Sequence, residues 1–220
     1  MSSDKLLFIN GAILTVCAVF IDTERELLLT GLMLFLPFID RSWAYPKSLI
    51  SSIVDAPSGT QFNQTPTPQK HYSLLPLQAS LFLTSIMLIA LNSDYTQAAI
   101  STLLLTALPE EWFFRAYFMT RLERYIVQGF FSKNATASSP FLNDLHKKYS
   151  GLSANILTSS LFALLHTPTQ GWFGLTIFFP SLFYGWVYQK TRNLLLVILL
   201  HALSNIVFFI YLSDLTRWGS

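Results

Sequence analysis

Charge is scarce in this chain: Asp, Glu, Lys and Arg together make up 12% of its 220 residues, about half the share of an ordinary soluble domain. With 52% hydrophobic and 15% aromatic residues and a mean hydropathy of +0.45, the composition is that of an integral membrane protein. Long basic runs are missing too, although the formal net charge is +2, and this argues against a nucleic-acid partner. Cysteine is nearly absent. Cys17 lies alone in the first apolar segment, so no intrachain disulfide can form and the thiol reads as a small packing residue. The stretch Ile21-Asp22-Thr23-Glu24 lacks the small-residue cleavage pattern of a signal peptide, so the first segment is expected to be a retained span. Internal repeats and a second domain are not evident, and residues 1–220 read as one membrane domain.

What is present is a series of apolar windows. A helix needs about 20 residues to cross the hydrocarbon core, and windows fall at residues 6–21, 27–39, 73–91, 97–119, 151–167, 171–188 and 193–212. The expected fold class is therefore all-α, a polytopic membrane helix bundle of about seven transmembrane helices. The second window is short and interrupted by Pro37, with residues 49–54 as a candidate interfacial continuation, so six spans remain an alternative. Placing the N-terminus in the cytoplasm puts eleven of the fourteen Lys and Arg residues inside, leaves Arg25 and Arg217 outside, and keeps Arg115 within the membrane. That asymmetry predicts an N-in, C-out protein. The sequons at Asn63 and Asn134 then face the cytoplasm and escape glycosylation. The loop at 41–72 reads as a solvated connector, whereas the loop at 121–150 mixes aromatic and basic residues in a pattern suited to amphipathic elements at the membrane surface.

Ionisable groups inside apolar segments are costly and usually functional. Pro109-Glu110-Glu111-Trp112-Phe113-Phe114-Arg115 is the densest case. At 3.6 residues per turn, Glu111 and Arg115 share a helix face and pair with the carboxylate on the N-terminal side, while Glu110 points roughly 100° away. One carboxylate is thus partnered and one is left over. A carboxyl group without a cation in a low-dielectric setting is suited to exchange a proton near neutral pH, so Glu110 is the candidate general base. In the last window His201 and Asn205 are four residues apart on one face. Both can donate to a developing oxyanion, worth about 3 kcal/mol per donor, although polar glue between helices is the bland alternative. His166, close to Pro168, reads by itself as a helix-end residue.

Taken together, Glu110-Glu111-x-x-x-Arg115, Phe162-x-x-x-His166 and His201-x-x-x-Asn205 resemble the CPBP family, the CAAX protease and bacteriocin-processing group of intramembrane endopeptidases. The resemblance covers residues 97–212, the expected core helices. Phe114-Arg115-Ala116-Tyr117 is similar to the family's continuation of the first motif, with Ala116 in place of the common Gly. Tyr188 to Asn193 is similar to the basic turn before the last helix. The resemblance implies a glutamic-type protease in which Glu110 and His166 activate a water, Glu111 holds Arg115, and His201 and Asn205 stabilise the tetrahedral intermediate. The implied substrate is a membrane-associated protein or peptide in the lipid bilayer, with a C-terminal sorting tag or maturation site in a bacterial plasma membrane preferred over a prenylated tail. Two histidines and a carboxylate could bind zinc, but HExxH is missing and Asn205 is a poor zinc ligand, so no metal or cofactor is expected. A catalytically silent scaffold or bacteriocin-immunity protein, or a small proton-coupled transporter, is the alternative. The transporter predicts inverted repeats, which the sequence does not show.

Convergence sets a depth condition. A helix starting at Ser150 would lift His166 about 24 Å above the cytoplasmic edge, while Glu111 and His201 sit about 15 and 14 Å deep. Residues 142–154 must then stay partly at the interface, or the helix must tilt.

Overall fold

The computed structural model describes residues 3–21, 25–40, 74–131 and 140–212. The connector at 41–72 and both sequons lie outside the described residues. Every described element is a helix, and no strand occurs among the described residues. Helix α1 spans Ser3–Phe20, α2 Arg25–Ile39 and α3 Leu75–Leu91. A break at Asn92 and a 3-10 turn at Ser93–Tyr95 lead into α4, which runs without interruption over residues 96–131. Helix α5 spans Pro140–Gln170, a 3-10 stretch covers Gly171–Ile177, α6 spans Phe178–Thr191, and α7 spans Leu194–Val207 with a π turn at Phe208–Leu212.

The apolar windows fall on these helices, except that the first seven residues of the window 171–188 form the 3-10 stretch, and their capacity to span differs. Leu194–Leu212 is long and apolar enough by itself. Leu75–Leu91 with Ser93–Gln128 passes only as a pair, bent by 114°, and Lys5–Phe20 is apolar but shorter. One or two spans therefore stand out by length and composition. Large apolar side chains are exposed on many helices, Phe20, Phe35, Leu91 and Phe179 among them, as lipid-facing positions require.

Helix α4 is the axis of the fold, because all eight residues of Trp112–Met119 are buried. Its aromatic side chains fill the centre: Phe113 packs edge-on against Phe114 at 5.1 Å, and Phe114 edge-on against Phe162 of α5 at 4.9 Å. The backbone of α4 alternates between α and π winding, with π stretches at Thr102–Ala107 and Trp112–Met119 on either side of Leu108–Glu111. Pro109 has no N–H and its ring displaces the carbonyl four residues back, which is that of Leu105. The Thr30 hydroxyl of α2 donates to this carbonyl at 2.8 Å. The proline thus opens the helix and creates the acceptor through which α2 docks.

Polar side chains fix the helices to one another. Asn10 of α1 donates to Tyr117 Oη at 2.8 Å and to the Leu36 carbonyl at 3.3 Å, while Arg121 Nε lies 3.2 Å from Asp40. Asn193 caps α7 by accepting from the Leu196 amide at 2.9 Å and also accepts from Gln78 of α3 at 3.0 Å. The turn before α7 ends α6 with Arg192 at φ 51°, and this residue's guanidinium donates to Glu123 at 2.8 Å. The basic turn expected from Tyr188 to Asn193 is therefore a left-handed cap tied to α4.

Candidate active site

Glu110, Glu111 and Arg115 come from the opened stretch of α4, His166 from the end of α5, and His201 and Asn205 from α7. Helix α5 begins at Pro140 and its 31 residues reach about 46 Å. That length exceeds a hydrocarbon core of about 30 Å. Even so, His166 Nε2 lies 3.7 Å from Glu110 Oε1, which meets the depth condition.

Glu111 is the hub. Its Oε2 accepts from Arg115 Nε at 3.0 Å, the expected i, i+4 pair, and both side chains are fully buried. Its Oε1 accepts from His201 Nδ1 at 2.8 Å. With a guanidinium on one oxygen the carboxylate is acceptor-only, so Nδ1 of His201 carries the hydrogen. Arg115 Nη2 donates to Ser181 Oγ of α6 at 2.8 Å, and its guanidinium lies 5.6 Å above the Phe162 ring. A buried charge held by ionic, hydrogen-bond and ring contacts is the arrangement that a low-dielectric interior requires.

Glu110 has different surroundings. His201 Nε2 is 3.6 Å from its Oε2, and His166 Nε2 is 3.7 Å from its Oε1. Both separations exceed a direct hydrogen bond, and Oε2 is buried without a hydrogen-bond partner among the described residues. The His166 ring is set by its other nitrogen, since Nδ1 donates to the Phe162 carbonyl at 2.8 Å. A carbonyl can only accept, so the neutral ring presents an unprotonated Nε2. Each histidine thus spends Nδ1 on an anchor and turns Nε2 toward the same carboxyl group. Spacing explains the first anchor: Phe162 and His166 are one helical turn apart, so the motif pair supplies both the ring beneath Arg115 and the carbonyl that sets the tautomer.

Asn205 lies one turn beyond His201 and is half-buried, and its carboxamide makes no hydrogen bond to the described residues. No group of three or more His, Cys, Asp or Glu side chains suited to a metal ion occurs among the described residues.

A family model described as type II CAAX prenyl endopeptidase Rce1-like matches residues 92–207, just over half of the chain. The chain belongs to this Rce1-like family. The matched stretch opens at the break before α4, closes at the end of α7 and contains all six of the polar residues singled out in the sequence. No curated protein and no solved structure matches the chain. The Rce1-like family is one of membrane-embedded proteases, which makes this chain an endopeptidase by family and sets a peptide or protein substrate in a membrane context.

Two neighbours of the cluster were not apparent in the sequence. Ser181 receives Arg115, and the Tyr184 ring stacks on His201 with centroids 5.1 Å apart and planes 21° apart. An isolated Ser or Tyr in an apolar helix gives no spacing signal. Only the small polar position at Ser181, between Phe179 and Phe183, departs from its surroundings.

Proposed function

We propose that the chain is a glutamic-type intramembrane endopeptidase that hydrolyses a peptide bond near the C-terminal end of a membrane-associated protein, as a sorting or maturation step in a bacterial plasma membrane. The observation that carries this reading is a single carboxyl group, Glu110, facing two histidine Nε2 atoms at 3.6 and 3.7 Å. Such separations suit a small molecule shared between the groups rather than direct bonds. In the proposed reaction Glu110, assisted by His166 Nε2, takes a proton from water as its oxygen attacks the scissile carbonyl carbon. His201 and Asn205 donate to the resulting oxyanion, for which His201 carries a proton on Nε2 as well as Nδ1. Collapse of the intermediate breaks the C–N bond, and the proton held at Glu110 passes to the leaving amine. Glu111 remains ionised throughout, holding Arg115 and the His201 ring. The bundle is proposed to cross the membrane seven times with the N-terminus in the cytoplasm.

The test is cleavage by the purified protein in liposomes, using membrane-anchored peptides with and without a prenyl group. Cleavage that persists in EDTA and falls at least about 100-fold in His201→Ala supports the proposal. Loss in EDTA with rescue by zinc would replace it with metal chemistry, and a proton flux without cleavage would replace it with a carrier.

A further inference from the structure

The three motifs do not explain how the partners of Glu111 are themselves held. Arg115 and His201 both rest on α6, a helix that carries none of the motif residues. Ser181 Oγ, fully buried, accepts from Arg115 Nη2 at 2.8 Å. Three residues on, Tyr184 is 4% exposed and lies flat on the His201 imidazole at 5.1 Å. The i, i+3 spacing puts both on one face of α6.

Each contact removes a freedom that the motif contacts leave. Arg115 is tied to Glu111 through Nε alone and lies over the Phe162 ring, and Nη1 has no hydrogen-bond partner among the described residues, so the motif contacts leave the guanidinium able to turn above that ring about its one hydrogen bond. The Ser181 bond at Nη2 fixes the guanidinium plane. A histidine's χ2 is broad, and the Nδ1 bond to Glu111 alone would let the ring tip and swing Nε2 away from Glu110. A flat aromatic neighbour limits that swing. Helix α6 is itself fastened to α5: Asn155 Nδ2 donates to the Leu182 carbonyl at 3.0 Å, and Gly185 lets the α6 backbone meet the Asn155 side chain. The helix bearing His166 and the helix backing Arg115 and His201 therefore hold one another.

We infer that Ser181 and Tyr184 are positioning residues for the reaction, with α6 acting as a backplate that sets the Arg115 guanidinium and the His201 ring, and through them the orientation of Glu111. This inference rests on the catalytic reading above. The experiment measures kcat and KM in liposomes for Ser181→Ala, Tyr184→Leu, Tyr184→Phe and Glu110→Gln, normalised to the monodisperse, cooperatively melting fraction. Misplacement by about 1 Å can cost up to 100-fold in rate. Ser181→Ala and Tyr184→Leu are expected to lower kcat by roughly ten- to 100-fold with KM within about twofold of the parent, while Tyr184→Phe, which keeps the ring, retains about half the parent kcat or more. Parent kcat in Ser181→Ala and Tyr184→Leu, with Glu110→Gln inactive, overturns the positioning role alone. Parent activity in Glu110→Gln overturns the catalytic reading beneath it. If Tyr184→Leu does not fold, Ser181→Ala, which deletes one oxygen, decides the matter by itself.

Discussion

Glu110 and Glu111 are adjacent in sequence and opposite in circumstance. Glu111 has both oxygens occupied, by Arg115 and by His201, whereas the Oε2 of Glu110 is buried without a hydrogen-bond partner among the described residues. The two isosteric substitutions should therefore behave differently. Glu111→Gln leaves the buried Arg115 without its counter-charge and is expected to destabilise the protein by about 3 kcal/mol or more, seen as a lower melting temperature together with lost cleavage. Glu110→Gln should melt at or above the parent temperature, because it removes a buried charge whose Oε2 has no hydrogen-bond partner among the described residues. Equal melting temperatures for the two variants would contradict the division of labour. This division was legible in the sequence, because helical periodicity alone pairs Glu111 with Arg115 and leaves Glu110 over. The tautomers were not legible, since they depend on the Phe162 carbonyl and on a carboxylate from another helix. Ser181 and Tyr184 were hidden for a similar reason: their role comes from which helix they face.

At the scale of elements, the winding of α4 and two close approaches bring the site together. Pro109 has no N–H to donate within its helix. It sits between two π stretches, and the displaced Leu105 carbonyl is taken up by Thr30. Helix α5 was harder to read, because Asn143, Asp144, Lys147 and Lys148 in its first turns depress hydropathy and conceal eleven helical residues before Gly151. The window at 171–188 does not begin as an α-helix, because its first seven residues wind as a 3-10 stretch. Gly171 itself adopts φ +57°, and a Cβ on Gly174 would come within 2.8 Å of the His166 carbonyl carbon and the Thr167 nitrogen. Backbone atoms cannot yield as a flexible side chain can, so Gly174→Ala should push the end of α5 away and move His166. The expected outcome is a fall in kcat with a loss of stability of about 1–3 kcal/mol. A variant with parent kinetics would show that the position of His166 does not depend on this approach. Asn193→Ala removes both the cap of α7 and the acceptor for Gln78, and is expected to cost about 1 kcal/mol or more, measurable by thermal melting in detergent.

At the scale of the whole molecule, every described element is a helix, the chain belongs to a family of membrane-embedded proteases, and its lipid-facing character was plain from composition. The number of spans is less plain from the structure than from the apolar windows, because α2, α3 and α6 have 15, 17 and 14 residues and reach only about 21–26 Å each. Helices of that length cross a bilayer by local thinning or by anchoring at their flanks. The proposed seven-span, N-in topology predicts that external protease removes a C-terminal tag from intact cells and spares an N-terminal one. Protection of both tags would mean an even number of crossings. Because Cys17 is the sole cysteine, a Cys17→Ser background allows single introduced thiols to map each loop in the same way.

The central claim is that Glu110 moves the proton in amide hydrolysis within the membrane. Single-turnover cleavage of a membrane-anchored peptide by folded Glu110→Gln in liposomes tests it most directly. The account predicts a rate at least about 100-fold below that of the parent at a melting temperature no lower than the parent's; cleavage at the parent rate would contradict it.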